Sequence, residues 1–162
     1  MDKSKRSRRG TIRVGVVGVG RGMSMGAANG TGLKVVALCD RWEERLAVAG
    51  ERLSVSTYTD YDRFLEHDFD AVILANYFHQ HAPFAIKALA AGKHVMSETA
   101  ACSTLGEGVA LARAVEKSGL TYMFAENYPF SAYNQEMRRL YRKGVVGEFK
   151  YGEGEYVHPD PP

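Results

Sequence analysis

Short continuous apolar runs alternate along this chain with stretches of helical period. "TIRVGVVG" (11–18), "LKVVALCD" (33–40) and "FDAVILA" (69–75) read as strands buried on both faces. Three shorter runs read the same way: the start of "STYTDYDRFLEHD" (56–68), His94-Val95-Met96 within "GKHVMSETAAC" (92–102), and "LTYMFAE" (120–126). The intervening segments predict helices. A glycine-rich turn leads into a short helix to about Asn29. "RWEERLAVAGERL" (41–53) places Trp42, Leu46, Ala49 and Leu53 on one face. A helix follows Asp60, a fitting N-cap. "HAPFAIKALAAG" (81–92) has Pro83 in its first turn and Gly92 past its end. "STLGEGVALARAVEKSG" (103–119) offers Ser103 as cap and Gly119 as stop, and "PFSAYNQEMRRLYRKG" (129–144) is helical again.

Six strands joined by helices predict an α/β fold, a doubly wound, mostly parallel Rossmann sheet. The segment "GEFKYGEGEYVH" (147–158) breaks the rule. It alternates with period two, as an antiparallel strand does, and "PDPP" after it cannot join a ladder. The expected organisation is therefore a tail over 1–10, a Rossmann domain over 11–146, and the start of a truncated second domain over 147–162. A lone strand there would be an unpaired edge, so self-association through it is expected.

Composition narrows the classes. With 162 residues, 45% hydrophobic and 25% charged, the chain is globular and long enough for one core. No apolar run reaches membrane length, and no apolar region follows the charged start, so neither a membrane span nor a secretory signal is expected. Lys3, Lys5, Arg6, Arg8 and Arg9 face only Asp2, an excess larger than the whole chain's +2. The body is thus acidic on balance, and the tail reads as a solvated arm rather than a nucleic-acid contact. Two cysteines, Cys39 and Cys102, suit a reducing, cytoplasmic setting. No metal-ligand spacing appears.

Four constellations carry chemistry. In "VGVVGVGRGMSMG" a strand ends at Gly18, Gly18-Val19-Gly20 make a turn, and Arg21, Gly22 and Met23 open a helix whose free N–H groups suit a pyrophosphate. Asp40 ends the second strand, 20 residues after Gly20, where a carboxylate accepts from both hydroxyls of an adenosine ribose. That favours NAD; Arg41 beside it keeps NADP open. The plainer alternatives are a ligand-free tight turn and, for Asp40, a cap on helix 41–53. The second constellation, "ANYFHQHAPFA" (75–85), puts Asn76 and Tyr77 at a strand end where a nicotinamide or ribose would lie, with His81 either packing or bonding a loop. The third is Ser97-Glu98-Thr99. The fourth is "FAENYPF" (124–130), whose Glu126 either pairs with Glu98 across a cleft or caps its own turn.

Together these segments resemble the glucose–fructose oxidoreductase / inositol dehydrogenase family (Gfo/Idh/MocA), over about residues 11–157. The resemblance rests on "VGVVGVGRG", "VVALCDRWEER", "FDAVILANYFHQHAPFAIKALAAGKHV", "SET", "ENY" and "GVVGEF". It implies a Rossmann domain for NAD or NADP, followed by an antiparallel domain that holds a sugar or polyol oxidised or reduced at a secondary alcohol. Gly18 and Gly20 match the phosphate turn, and Asp40 the ribose carboxylate. Asn76 and Tyr77 fall on the family's usual Thr-Pro, while His81 matches its histidine. Glu98 matches a glutamate that contacts cofactor ribose, and Asn127 matches the asparagine after the sixth strand. Two departures stand out. Met23 takes the place of the third glycine, and Thr99 the place of the catalytic lysine. A threonine hydroxyl cannot act as a protonated donor. Three functions therefore remain: the cofactor domain of a sugar oxidoreductase, part of a hydrolase or lyase that retains its NAD, and a non-catalytic dinucleotide-binding module.

Overall fold

The structure is a computed structural model that describes residues 10–25, 32–155 and 157. The basic tail over 1–9, the helix continuation to Asn29 and the "PDPP" end lie outside the described residues. The chain divides into two compact units, residues 1–125 and 126–162.

The first unit holds six strands: β1 (Ile12–Val17), β2 (Leu33–Cys39), β3 (Ser56–Tyr58), β4 (Ala71–Leu74), β5 (His94–Ser97) and β6 (Tyr122–Phe124). All pairs are parallel and the order is β3-β2-β1-β4-β5-β6. Alternation along each strand explains the two buried faces. Val17, Ala37, Cys39, Val72 and Leu74 enter one core; Val14, Val16, Leu38 and Ile73 enter the other. Helices α3 (Tyr61–Leu65), α4 (His81–Ala90) and α5 (Leu105–Ser118) contribute to the first core, with Phe64 fully buried against Tyr61 and Phe69. Helix α2 (Glu43–Leu53) closes the second through Leu46 and Ala49.

This is the doubly wound parallel sheet that the apolar runs predict. The strand order reverses between β1 and β4, and it is at such a reversal that the strand ends leave a crevice.

Local chemistry sets the ends. Asp60 caps α3 by accepting from the Arg63 amide at 2.8 Å. The cap of α5 is Thr104, one residue later than expected, because Thr104 and Glu107 form a reciprocal box: the Glu107 amide donates to Thr104 Oγ1 at 3.2 Å and the Thr104 amide donates to Glu107 Oε2 at 3.2 Å. Ser103 only donates its amide to the same carboxylate. Thr104→Ala is expected to lower stability by about 1 kcal/mol, read as a lower urea midpoint at unchanged slope.

Trp42 corrects the sequence reading. It precedes α2 instead of lying on its buried face, and it is 52% exposed with the Arg45 guanidinium 4.0 Å above its ring.

The second unit contains a 3-10 turn (Tyr128–Phe130) and α6 (Ala132–Arg142). The expected strand at 147–158 does not form among its described residues: 148–155 and 157 adopt no regular structure, and all are exposed. Alternation alone cannot make a strand, because each backbone group still needs a partner across a ladder, and no described residue supplies one. The unpaired edge from which self-association was expected is therefore absent from these residues. Among the described residues, no helix is long and apolar enough to cross a membrane.

Candidate dinucleotide site

The turn after β1 is built around close approach. Gly18 has φ of +93°, and a Cβ on it would stand 2.6 Å from the Ala75 carbonyl carbon and 2.8 Å from the Asn76 nitrogen. The ends of β1 and β4 thus touch backbone to backbone, which only glycine permits. Gly22 opens α1 (Gly22–Met25), where a Cβ would meet Val16 Cγ1 at 2.7 Å. It does the helix–sheet packing expected of the family's third glycine, so Met23 at that place is no defect. Met23 itself packs against the second core.

Most amides in the turn are already engaged. Gly18 donates to Cys39 O, Val19 to Asp40 Oδ2, Gly22 to Gly18 O, Met23 to Gly20 O and Ser24 to Arg21 O. Among the described residues, the Gly20 and Arg21 amides have no such acceptor. Gly20 also faces open space: a Cβ there would have nothing within 4 Å. Of the turn residues singled out in the sequence, Gly20 and Arg21 therefore keep N–H groups for a phosphate, while Gly22 and Met23 do not.

Asp40 follows β2 and holds the turn. Its Oδ2 accepts from the Val19 amide at 2.7 Å and its Oδ1 from the Trp42 amide at 2.9 Å. Each carboxylate oxygen keeps a further lone pair for a hydroxyl. Ribose ligand and structural tie are compatible roles for this side chain. A cleft of about 690 Å³ opens in front of it, bordered by Gly18, Gly20, Asp40, Arg41, Trp42 and Asn76. Cys39 borders it too, but burial first, with Asp40 and Asp60 adding to it, pushes its thiol up to about 12. Cys39 stays a neutral thiol, not a nucleophile.

A second cleft of about 260 Å³ lies over Arg21, Ala75, Asn76, Glu98 and Thr99. Arg21 Nε donates to Glu98 Oε1 at 3.0 Å, and the Thr99 amide donates to Glu98 Oε2 at 3.0 Å. Burial pushes the Glu98 carboxyl up. The Arg21 and Thr99 hydrogen bonds, with the charges of Arg21 and His81, outweigh it and hold the group below the ordinary glutamate range. Asn76 borders both clefts. Its Nδ2 donates to Gln80 Oε1 at 3.1 Å, while its buried Oδ1 has no partner among the described residues. Tyr77 is 76% exposed at the rim. His81 is buried, with both ring nitrogens at backbone carbonyls.

Glu126 and Asn127 belong to the second unit. There Glu126 accepts from the Tyr128 amide at 3.0 Å and Asn127 O from the Phe130 amide at 3.0 Å, so Glu126 caps its own turn. Trp42, Arg45, Tyr61 and Phe84 also line the larger cleft, which sequence reading missed. The one available signal was that the residue two after Asp40 precedes the helix.

A profile for an oxidoreductase family with an NAD-binding Rossmann fold matches residues 12–126. The chain belongs to the Gfo/Idh/MocA family. Its NAD-binding Rossmann domain is the six-stranded unit described above. Gfo/Idh/MocA relatives by sequence include a glycosyl hydrolase family 109 protein of Bacteroides fragilis, 31% identical over 161 residues, 91% of this chain and 35% of that protein. One from Shewanella sp. strain ANA-3 is 30% identical over the same span. By structure, scyllo-inositol dehydrogenase from Lactobacillus casei, crystallised with NAD(H) and scyllo-inositol, aligns with a TM-score of 0.78 at 26% identity, covering 85% of this chain and 43% of that one. The WlbA dehydrogenase from Bordetella pertussis, in complex with NADH and UDP-GlcNAcA, gives 0.79 at 26%, covering 85% and 41%. The chain thus spans about a third of the length of the curated relatives it matches.

Proposed function

We propose that this domain holds NAD in preference to NADP, for a protein acting on a sugar or polyol at a secondary alcohol. The observation that carries the reading is Asp40, tied to the glycine turn through Val19 and open to the larger cleft beside Gly20. The residues present fit the cofactor. Asp40 would take the adenosine ribose hydroxyls, while the Gly20 and Arg21 amides would take a phosphate oxygen. Asn76, Tyr77 and Glu98 would border the nicotinamide half. A negative carboxylate at Asp40 opposes a 2′-phosphate.

Bound NAD would supply hydride acceptance and donation. What this chain contributes is binding, orientation and an ionised Glu98. Thr99 contributes no cationic donor, so proton transfer to or from the substrate oxygen would fall to other groups. Residues 147–162 are proposed as the entry into the domain that brings them.

A second reading draws on the family 109 hydrolase relatives together with Thr99: a glycoside-cleaving protein that oxidises its sugar transiently and keeps its NAD. Fluorescence titration with NADH and NADPH tests the binding common to both readings. Saturable binding with NADH the tighter is expected; no saturation by either would overturn them. Retention of NAD through extended dialysis would favour the hydrolase, and free exchange the oxidoreductase.

A further inference from the structure

Trp42 is the chain's single tryptophan, and it belongs to neither hydrophobic core. It is half-exposed, with the Arg45 guanidinium 4.0 Å from the ring centroid over one face. Arg45 therefore backs the indole without enclosing it. An indole held open in this way forgoes the burial that its area would give it in a core. Both residues border the larger cleft. The Trp42 amide donates to Asp40 Oδ1 at 2.9 Å, which fixes this residue beside the carboxylate that would take the adenosine ribose.

Tyr61, Phe84 and Tyr77 also bring rings to this cleft. Tyr61 is buried and stacked with both Phe64 and Phe84, at centroid distances of 5.9 Å and 4.0 Å, and its hydroxyl donates to the Phe84 carbonyl at 2.9 Å. Phe84 thus spends a face on Tyr61. Tyr77 follows β4, on the nicotinamide side, and stacks with His79. Trp42 is the ring that stands beside Asp40 with a face to spare. We propose that Trp42, backed by Arg45, is the stacking platform for the purine base of the dinucleotide. The proposal rests on the cofactor reading given above and adds to it the group that holds the base. A purine offers a flat π-face, and an aromatic side chain takes it without reading its edge. Arg45 is a positioning residue here: its cation over the far face holds the ring in one orientation before the base arrives, so less freedom is lost on binding.

Because Trp42 is the single tryptophan, indole fluorescence of the whole chain reports on this ring alone. ADP-ribose is the probe. It carries base, ribose and pyrophosphate but no nicotinamide, so it cannot quench by energy transfer as NADH does. Calorimetry follows its binding independently. Tryptophan emission is expected to fall along the same saturation curve as the heat. Trp42→Ala is expected to bind ADP-ribose roughly tenfold more weakly, and Trp42→Phe, which keeps a ring, within about threefold of wild type. Arg45→Met keeps the stem and removes the cation. It should weaken binding about threefold when Trp42 is present and add nothing to Trp42→Ala. An equal loss in both backgrounds would overturn the role of Arg45 through the indole.

Saturable heat with unchanged tryptophan emission, or full affinity in Trp42→Ala, would overturn the platform and leave the cofactor reading in place. Sound NADH binding without any ADP-ribose binding would do the same. Every variant keeps the backbone amide that Asp40 accepts, so loss of that tie does not account for a weaker complex. If Trp42→Ala does not fold, the wild-type emission and Trp42→Phe decide. No heat with either NADH or ADP-ribose would overturn the cofactor reading and the platform together.

Discussion

Gly18→Ala is expected to cost about 3–5 kcal/mol of stability, a large part of the 5–15 kcal/mol typical of a domain. Two effects add. The backbone sits at φ +93°, where a side chain is strained, and the new methyl would meet the Ala75 carbonyl carbon at 2.6 Å and the Asn76 nitrogen at 2.8 Å. Backbone at the end of a central strand cannot swing aside as a flexible side chain can. The β1–β4 contact that forms the floor of the crevice would have to open. Urea unfolding measures this, and a midpoint within about 0.5 kcal/mol of wild type would refute the account. Gly20→Ala is the matched control. Its Cβ meets nothing within 4 Å, so folding should be unchanged. NADH binding should still weaken, because the methyl fills space on the proposed phosphate path.

The second large effect is expected at Asp40. Asp40→Ala should weaken NADH binding roughly 100-fold, the equivalent of two hydrogen bonds to a charged acceptor, and weaken NADPH binding far less. Loss of the carboxylate also strands the Val19 amide, which it accepts at 2.7 Å, so stability should drop by about 1–3 kcal/mol. The two consequences separate by measurement. Discrimination between NADH and NADPH reports the ribose contact, and the urea midpoint reports the tie to the turn. Equal losses for the two nucleotides would leave Asp40 only its structural role.

The strands were readable because each is a short apolar run in a chain whose other segments keep helical period. Observed ends fall within a residue or two of those runs, as for β1, read as 11–18 and observed as Ile12–Val17. The misreadings have particular causes. Trp42 fits the apolar stripe of α2, but Asp40 accepts the Trp42 amide at 2.9 Å and the helix starts one residue later, turning the indole outward to the cleft. Ser103 and Thr104 are both capping residues by type. The capping box decides for Thr104 because only that residue stands three before Glu107. Residues 147–158 alternate as a strand does, yet 148–155 form none, since pairing depends on a partner rather than on the segment itself.

The sequence by itself determined the alternating strand–helix order, the glycine turn, the carboxylate after β2 and the absence of a lysine at 99. All of these are properties of neighbouring residues or of residue type. Tertiary structure alone decided which of these groups are free to act. Contacts across 21 residues (Val19 with Asp40), 77 (Arg21 with Glu98) and 19 (His81 with Ala100) commit the Val19 amide, the Glu98 carboxylate and the His81 ring. They leave Gly20 facing open space, and the Gly20 and Arg21 amides without an acceptor among the described residues. A pattern along the chain carries period and type; the partner of a polar group is fixed only when distant strand ends are brought side by side.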